Sequence, residues 1–361
     1  SYFNITLSPD DTLSTALVIS NNGTGDLIYN TEIVFTENSK SSSILLVDRD
    51  MSCYIQDEEE YADESSVLMN ALNDNGLSYT YHEVIFPWWD GPDLATLQQF
   101  DIVIWFTGEV YGDYGMRAND ETNLAGYLDG GGKLILSSQG CMTNYGWGNI
   151  TLDPGDFPYD YLGLRTIQTG AWYIWSVGEM EGVQGSLAEG SVYSIQNFYQ
   201  MAILEPVEIE VHEGIDMFNI ADPLPSGICG IQYENNGFKT IFTTVSPAAI
   251  DDDLQRSELL ADMIGYMEGQ WLFITSNGSG IVPGGSKNSV EVGLFYDAGG
   301  LTEGTYEAEV HVTSNAPDSP HIIPVVLTVG EAPSVEIKVF LEGAFNGTGM
   351  NTLLNDNGLL P

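Results

Sequence analysis

The groups able to do chemistry in this chain are carboxylates, three cysteines and clustered aromatic rings. Asp48, Asp50, Asp57, Glu58, Glu59, Glu60, Asp63 and Glu64 crowd into one short stretch that follows the apolar run Ser43 to Asp48. A hard cation such as Ca²⁺ takes about six to eight oxygen ligands, and a loop this rich in carboxylates can supply them. Asp48, Asp50, Asp57 and Glu60 are therefore candidate calcium ligands, although their spacing is not that of an EF-hand. The competing reading is a solvated loop whose Asp63 and Glu64 sit favourably at the start of the next helix. Asp251, Asp252 and Asp253 read in the same way as the N-cap of a late helix. Cys53, Cys141 and Cys229 lack the spacing of zinc ligands, and no CxxC or HExxH occurs. Cys53 and Cys141 each follow a strand-like run, so both emerge at one edge of a sheet. They are either a disulfide of an oxidising exterior or buried free thiols, with Cys229 left over. Trp88 and Trp89 in "FPWWDGPD", with Trp147, Trp172 and Trp175 further on, either pack inside the protein or stack on sugars.

Composition narrows the partners. With 52 Asp and Glu against 9 Lys and Arg, the net charge is −43. Nucleic acid and anionic membrane surfaces need clustered cations, so no nucleic-acid partner is expected and an anionic membrane surface is disfavoured. The same charge fits a saline or calcium-rich exterior, where salt or bound Ca²⁺ relieves self-repulsion. A hydrophobic fraction of 43%, with 19 Tyr, 14 Phe and 7 Trp, is incompatible with a disordered acidic tail. No apolar run reaches the roughly 18 residues of a membrane span, so no transmembrane segment is expected. The chain opens at Ser1 without Met or a signal peptide, as a processed mature chain would. Sequons at Asn4, Asn22, Asn149, Asn277 and Asn346 are candidate glycosylation sites.

The elements that position these groups follow from periodicity. Tyr2 to Leu7, Leu13 to Ser20 and Leu27 to Phe35 alternate as strands, and four more strand-like runs follow residue 270: Trp271 to Thr275, Ser289 to Tyr296, Thr305 to Ser314 and Ile322 to Val329. About seven strands are enough for one β-sandwich. Between them "SILLVD", "DIVIWFT" and "KLILSS" are continuous apolar runs separated by helical patterns at Glu64 to Asn75, Leu94 to Phe100 and Asp120 to Leu128. Such alternation predicts βαβ units and a parallel, doubly wound sheet. Residues from Cys141 to about Glu234 read as irregular, before a last strand and helix at Phe238 to Thr244 and Leu254 to Met267.

Two resemblances sharpen this outline. "LVISNNGTGDLIYN" and "PGGSKNSVEVGLFYDAGGLTEGTYEAEVHVTSNAPDSPHIIPVVLTV" resemble the two halves of a bacterial extracellular immunoglobulin-like repeat of the hydin-like kind. "ILLVDRD", "DIVIWFTG", "YLDGGGKLILSSQG", "YDYLGLR" and "GFKTIFTTVSPAAI" resemble the class I glutamine amidotransferase-like fold, a flavodoxin-like relative found in secreted bacterial surface proteins. Active members carry a Cys nucleophile on a sharp turn after a strand, paired with His and an acid. Carried onto this chain, the resemblance marks Ser138 and Cys141 as weak nucleophile candidates and His212 as their base. His212-Glu213 departs from the family's His-x-Glu arrangement, which implies that the catalytic pair is absent.

The resulting expectation is an α/β plus all-β chain, in which a parallel doubly wound flavodoxin-like domain is inserted into an immunoglobulin-like β-sandwich. Residues 1–40 start the sandwich, 41–270 form the insertion, 271–331 finish the sandwich, and 332–361 are a strand-like extension, "VEIKVFLEG", able to pair with an open sheet edge. The expected role is a secreted structural or adhesive cell-surface protein, polymerising through that strand, rather than an enzyme. Its partners would be other copies of itself, other surface proteins or glycans. A Ca²⁺-dependent glycan or protein binder and a Cys or Ser hydrolase are the alternatives.

Overall fold

Strict alternation builds the first three strands, β1 (Phe3–Leu7), β2 (Thr12–Asn21) and β3 (Leu27–Phe35). Leu13, Leu17 and Ile19 of β2 turn inward, while Ser14, Val18 and Ser20 face solvent. The computed structural model describes residues 2–9, 11–35, 42–52, 63–108, 110, 112–169, 178–195, 203–206, 214–222, 227–285 and 287–330. After β3 come β4 (Ile44–Asp48), α1 (Ser65–Asp74), β5 (Tyr79–Glu83), α2 (Leu94–Leu97), β6 (Ile102–Phe106), α3 (Ala118–Asp129) and β7 (Lys133–Ser137). Next are β8 (Gly148–Thr151), α4 (Phe157–Leu162), β9 (Leu164–Thr169), β10 (Gly178–Gly182), β11 (Val192–Ile195), β12 (Ile203–Pro206), β13 (Ile215–Asp222), β14 (Gly227–Asn235) and β15 (Phe238–Thr243). The chain then forms α5 (Asp253–Glu268), β16 (Leu272–Ser276), β17 (Ser279–Val282), β18 (Asn288–Asp297), β19 (Gly304–Ser314) and β20 (His321–Val329).

Every residue of β4 and β6 is buried, which explains their unbroken apolar sequences. Ile44 and Leu46 enter one core with α1 and α5, whereas Leu45 and Val47 enter a second with α3 and α4. Each such fully covered side chain contributes about 1.5–3 kcal/mol of apolar burial. Helix ends follow local chemistry: the Asp252 carboxylate accepts from the Leu254 and Gln255 N–H groups to start α5, and Gly269 at φ 81° ends it.

The expectation of a parallel, doubly wound flavodoxin-like domain inserted in an immunoglobulin-like sandwich is corrected here. Of the described residues 45% lie in strands and 21% in helices, so the chain is mostly β. Its central sheet has twelve strands and is mixed. Among the described residues parallel pairing in this sheet is confined to β5, β4, β6, β7 and β15. Beyond β15 the sheet continues antiparallel through β14, β13, β10 and β11, with β8, β9 and β12 attached at the side. The physical cause lies in residues 141–234. Among the described residues of that stretch β8, β11 and β12 have four residues each, β13 is kinked by register shifts between Asp216 and Asn219, and the longer β14 is interrupted by Gly230, so strands are present where the sequence reads as irregular.

The remaining strands form two further sheets, of order β1-β20-β19-β3-β17 and β16-β18-β2, which enclose a third core. Thus β2 pairs with β18 over ten positions, and β3 with β19, across more than 250 residues of intervening chain. Tyr29, Val292, Leu294, Tyr296, Val310 and Leu327 fill that core. The four-residue β17 goes beyond the seven strands read from sequence, being too short to show a period. Ser1–Gly330 form one compact unit and Glu331–Pro361 a second. The expected strand "VEIKVFLEG" belongs to the second unit and lies outside the described residues. Among the described residues no helix is long and apolar enough to cross a membrane.

Candidate functional site at the strand ends

The parallel ladder aligns Asp48 with Glu83 and Phe106, Phe106 with Ser137, and Ser137 with Thr243, so the candidate chemistry gathers at one sheet edge. Three further bonds carry the ladder one step past the strands: Arg49 N–H to the Phe106 carbonyl at 3.0 Å, Thr107 N–H to Ser137 at 3.0 Å, and Ser138 N–H to Thr243 at 2.9 Å. Such edges are where open sheets with parallel strands gather polar groups.

Asp48 is a strongly perturbed carboxylate at that edge. Tyr81 donates its hydroxyl to Asp48 Oδ2 at 2.6 Å, and the Asp50 N–H donates to Asp48 Oδ1 at 3.1 Å. Burial, and then the charge of Asp50, push the Asp48 carboxyl up to about 7. Asp50 in turn accepts from the backbone N–H groups of Ser52, at 2.9 Å, and Glu64, at 2.9 Å. Glu64 receives the Ser246 hydroxyl at 2.7 Å, which ties the end of β15 to the start of α1. Met51, between these loops, is held at φ 62° and is 3% exposed. Of the four candidate calcium ligands, Asp48 and Asp50 thus spend their oxygens on the protein's own donors, and Asp57 and Glu60 lie outside the described residues. Among the described residues no group of three or more His, Cys, Asp or Glu is arranged to hold a metal ion.

Arg49 and Asp120 form an ion pair of 3.2 Å with both side chains at 0% exposure. The guanidinium also donates from Nε to the Tyr114 carbonyl at 2.7 Å and from Nη2 to the Pro87 carbonyl at 3.4 Å. Asp120 accepts from the Gly91 N–H at 2.7 Å and from the Arg117 N–H at 2.9 Å. Desolvation still holds the Asp120 carboxyl above its usual range against the pull of Arg49. This pair clamps the loops after β5 and β6 and joins no candidate nucleophile.

The nucleophile candidates are sealed in. Ser138 Oγ accepts from Thr107 Oγ1 at 2.5 Å and from the Cys141 N–H at 3.1 Å. Cys141 is a free thiol, 1% exposed, and burial pushes it up to about 12. Cys229 is likewise buried and free, and Cys53 lies outside the described residues. A strained nucleophile turn places its residue at positive φ. Among described residues other than glycine, positive φ occurs at Met51, Asn236 and Asn277, and not at Ser138 or Cys141. Of the histidines, His82 lies on β5, His311 faces Glu309 on β19 and His321 faces Asp318. None of these three bonds to Ser138 or Cys141, and His212 lies outside the described residues. The sequon residues Asn4, Asn22, Asn149 and Asn277 are all exposed, while Asn346 is not described.

Apart from the strand ends, a cavity of about 580 Å³ opens between β3, β16 and α5. Among the described residues Glu32, Glu258, Asp262 and Glu268 line it, and no Lys or Arg does. Burial, and then the neighbouring Glu258, raise the Asp262 carboxyl well above its ordinary value.

Sequence reasoning missed Tyr81, Thr107, Ser246 and the Arg49–Asp120 pair. One signal was present: Arg49 is a cation directly after a fully apolar strand, in a chain with 9 Lys and Arg. A cation in that position needs a carboxylate partner in the fold.

No protein-family model matches the chain, and no curated protein matches it. Among solved structures it is similar to the cold-adapted β-galactosidase from Rahnella sp. R3, at 12% identity and TM-score 0.41, over 79% of this chain and 39% of that one. It is similar too to an exo-β-1,4-mannosidase from Opitutaceae bacterium strain TAV5, at 10% identity and TM-score 0.38, over 62% of this chain and 36% of that one. A carbohydrate deacetylase aligns at 10% identity and TM-score 0.36, over 65% of this chain and 34% of that one. These neighbours are carbohydrate-active enzymes, and the chain spans well under half the length of each. At this level of likeness they carry no argument about its fold or activity.

Proposed function

We propose that this chain is an extracellular structural or adhesive surface protein, and that its strand-end cluster is part of the scaffold rather than a catalytic centre. The observation that carries the reading is Cys141, a 1%-exposed thiol pushed up to about 12, beside a Ser138 hydroxyl that no described base contacts. Thiolate chemistry needs the opposite environment, exposed and electropositive. Asp48, Asp50 and Glu64 are likewise engaged in fixing loops.

Assembly is supported by a second feature. Among the described residues the ten-residue strand β2, "TLSTALVISN", pairs only with β18, and it carries no charge and no Pro. Natural edge strands usually carry such protections, and an edge without them is a template for another strand. Val335, Ile337, Val339 and Leu341 give the C-terminal segment a matching period of two. In this reading that segment of one copy adds to a sheet edge of the next.

Alkylation of the native protein with a small thiol reagent at neutral pH tests the non-catalytic assignment. Cys141 and Cys229 are expected to react only after unfolding. Rapid labelling of native Cys141, with a pH profile showing a thiolate below about pH 8, would overturn the assignment.

A further inference from the structure

The loop after β5 presents two large apolar side chains to solvent. Trp88 is 57% exposed and Trp89 48% exposed. Neither ring is loose. Phe86 stacks on Trp88 with centroids 5.1 Å apart at 15°, and meets Trp89 edge to face at 4.7 Å and 76°. The loop is clamped on both sides of the indoles: the Pro87 carbonyl accepts from Arg49, and the Gly91 N–H donates to Asp120. The half of each indole left open is ordered apolar surface that a ligand can cover.

Beside the rings lies a preformed set of polar groups. Asp90 accepts from Arg117 Nε at 2.7 Å and from Asn119 Nδ2 at 2.7 Å, and the Arg117 and Asp90 side chains are 33% and 38% exposed. The two charges cancel locally and leave donors and acceptors side by side at the rim of the aromatic surface. Tyr114, on the loop after β6, is also 57% exposed, and its backbone carbonyl accepts from the same Arg49.

We infer that Trp88, Trp89, Asp90, Arg117 and Asn119 form a binding site for a neutral polysaccharide. The C–H face of a pyranose ring is apolar and covers an indole, while its ring hydroxyls both donate and accept at the edge. With one bond already made to each Asp90 oxygen, the remaining carboxylate lone pairs accept from a ring hydroxyl, while the Arg117 Nη groups and the second N–H of the Asn119 amide donate to hydroxyl oxygens. Charge selects among glycans: a net charge of −43 repels uronate and sulfate polymers, and the locally balanced Asp90–Arg117 pair supplies no compensating cation. The inference rests on the adhesive reading and names the ligand class, but it does not require self-assembly.

Native gel electrophoresis of the full chain through gels containing laminarin, galactomannan, xylan or alginate tests it, with tryptophan fluorescence as a second readout. Retardation and a fluorescence change are expected with at least one of the three neutral polymers and not with the polyuronate alginate. Trp88→Ala and Trp89→Ala should each weaken that retardation about tenfold while leaving a cooperative melt, lowered only by the loss of one ring contact with Phe86. Asp90→Ala should weaken it without altering the indole spectrum of the free protein. Absence of retardation in all three neutral gels, equal retardation of a Trp88→Ala/Trp89→Ala double variant, or alginate binding as tight as neutral-glycan binding overturns the inference. Sedimentation reads self-assembly independently, so failure of this site and failure of the assembly reading are separable.

Discussion

Replacing Asp48 by Asn tests the strand-end electrostatics most stringently. A carboxyl raised to about 7 in the folded protein stays protonated over a pH range in which the unfolded chain has already released its proton. Between about pH 4 and pH 7 the native state therefore binds the extra proton, and stability falls as pH rises through that window, then levels off. A rise of about three units corresponds to about 4 kcal/mol across the whole window, as an upper bound because Asp50 titrates against the same site. Asn reproduces the protonated form: its oxygen can accept the Asp50 N–H, and its amide can donate to the Tyr81 hydroxyl. Asp48→Asn should accordingly become more stable relative to the parent protein as pH climbs, gaining up to about 4 kcal/mol by about pH 8 over its value near pH 4. Urea unfolding at a series of pH values, compared as a difference between the two proteins, cancels the other carboxylates. Tyr81→Phe removes a bond that favours the ionised carboxylate, so it should push the Asp48 transition to higher pH. A stability difference between parent and Asp48→Asn that stays constant from about pH 4 to pH 8 would refute the reasoning.

Other outcomes follow from the same physics. Asp120→Ala leaves Arg49 buried without its carboxylate and should cost about 3–5 kcal/mol in urea unfolding. Salt should stabilise the protein: with a net charge of −43, raising NaCl from about 0.1 M to about 1 M shortens the screening length from about 10 Å to about 3 Å and should raise the melting temperature. A melting temperature that is flat or falling with salt would show that self-repulsion is already neutralised in the fold.

How much of this was legible in the sequence depended on whether the signal was local. The apolar runs of β4, β6 and β7 announce strands covered on both faces, and the Asp252 cap announces α5. That the two ends of the chain share a sandwich was legible from the strand count and from turn motifs resembling halves of one module, but the pairing of β2 with β18 itself was not. The antiparallel half of the central sheet was hidden, because β10 to β12 run only four or five residues, β13 is broken by register shifts, and β14 is buried through its middle rather than alternating, so period two never registers. The acidic loop after β4 was visible as composition, but its role was not. Whether Asp48 ligates a cation or holds a proton depends on Tyr81, brought beside it by a parallel register 33 residues away. Arg49 and Asp120 are similarly remote in sequence, and no pattern of spacing joins them.

The central claim is an extracellular scaffold that assembles through its C-terminal strand, and sedimentation velocity of the full chain over a concentration series tests it directly. The parent protein should shift to larger species as concentration rises. A Val339→Pro variant, which cannot donate a complete strand ladder, should remain a single 39.4 kDa species. A parent protein that stays monomeric throughout, or a Val339→Pro variant that assembles equally well, would contradict the account.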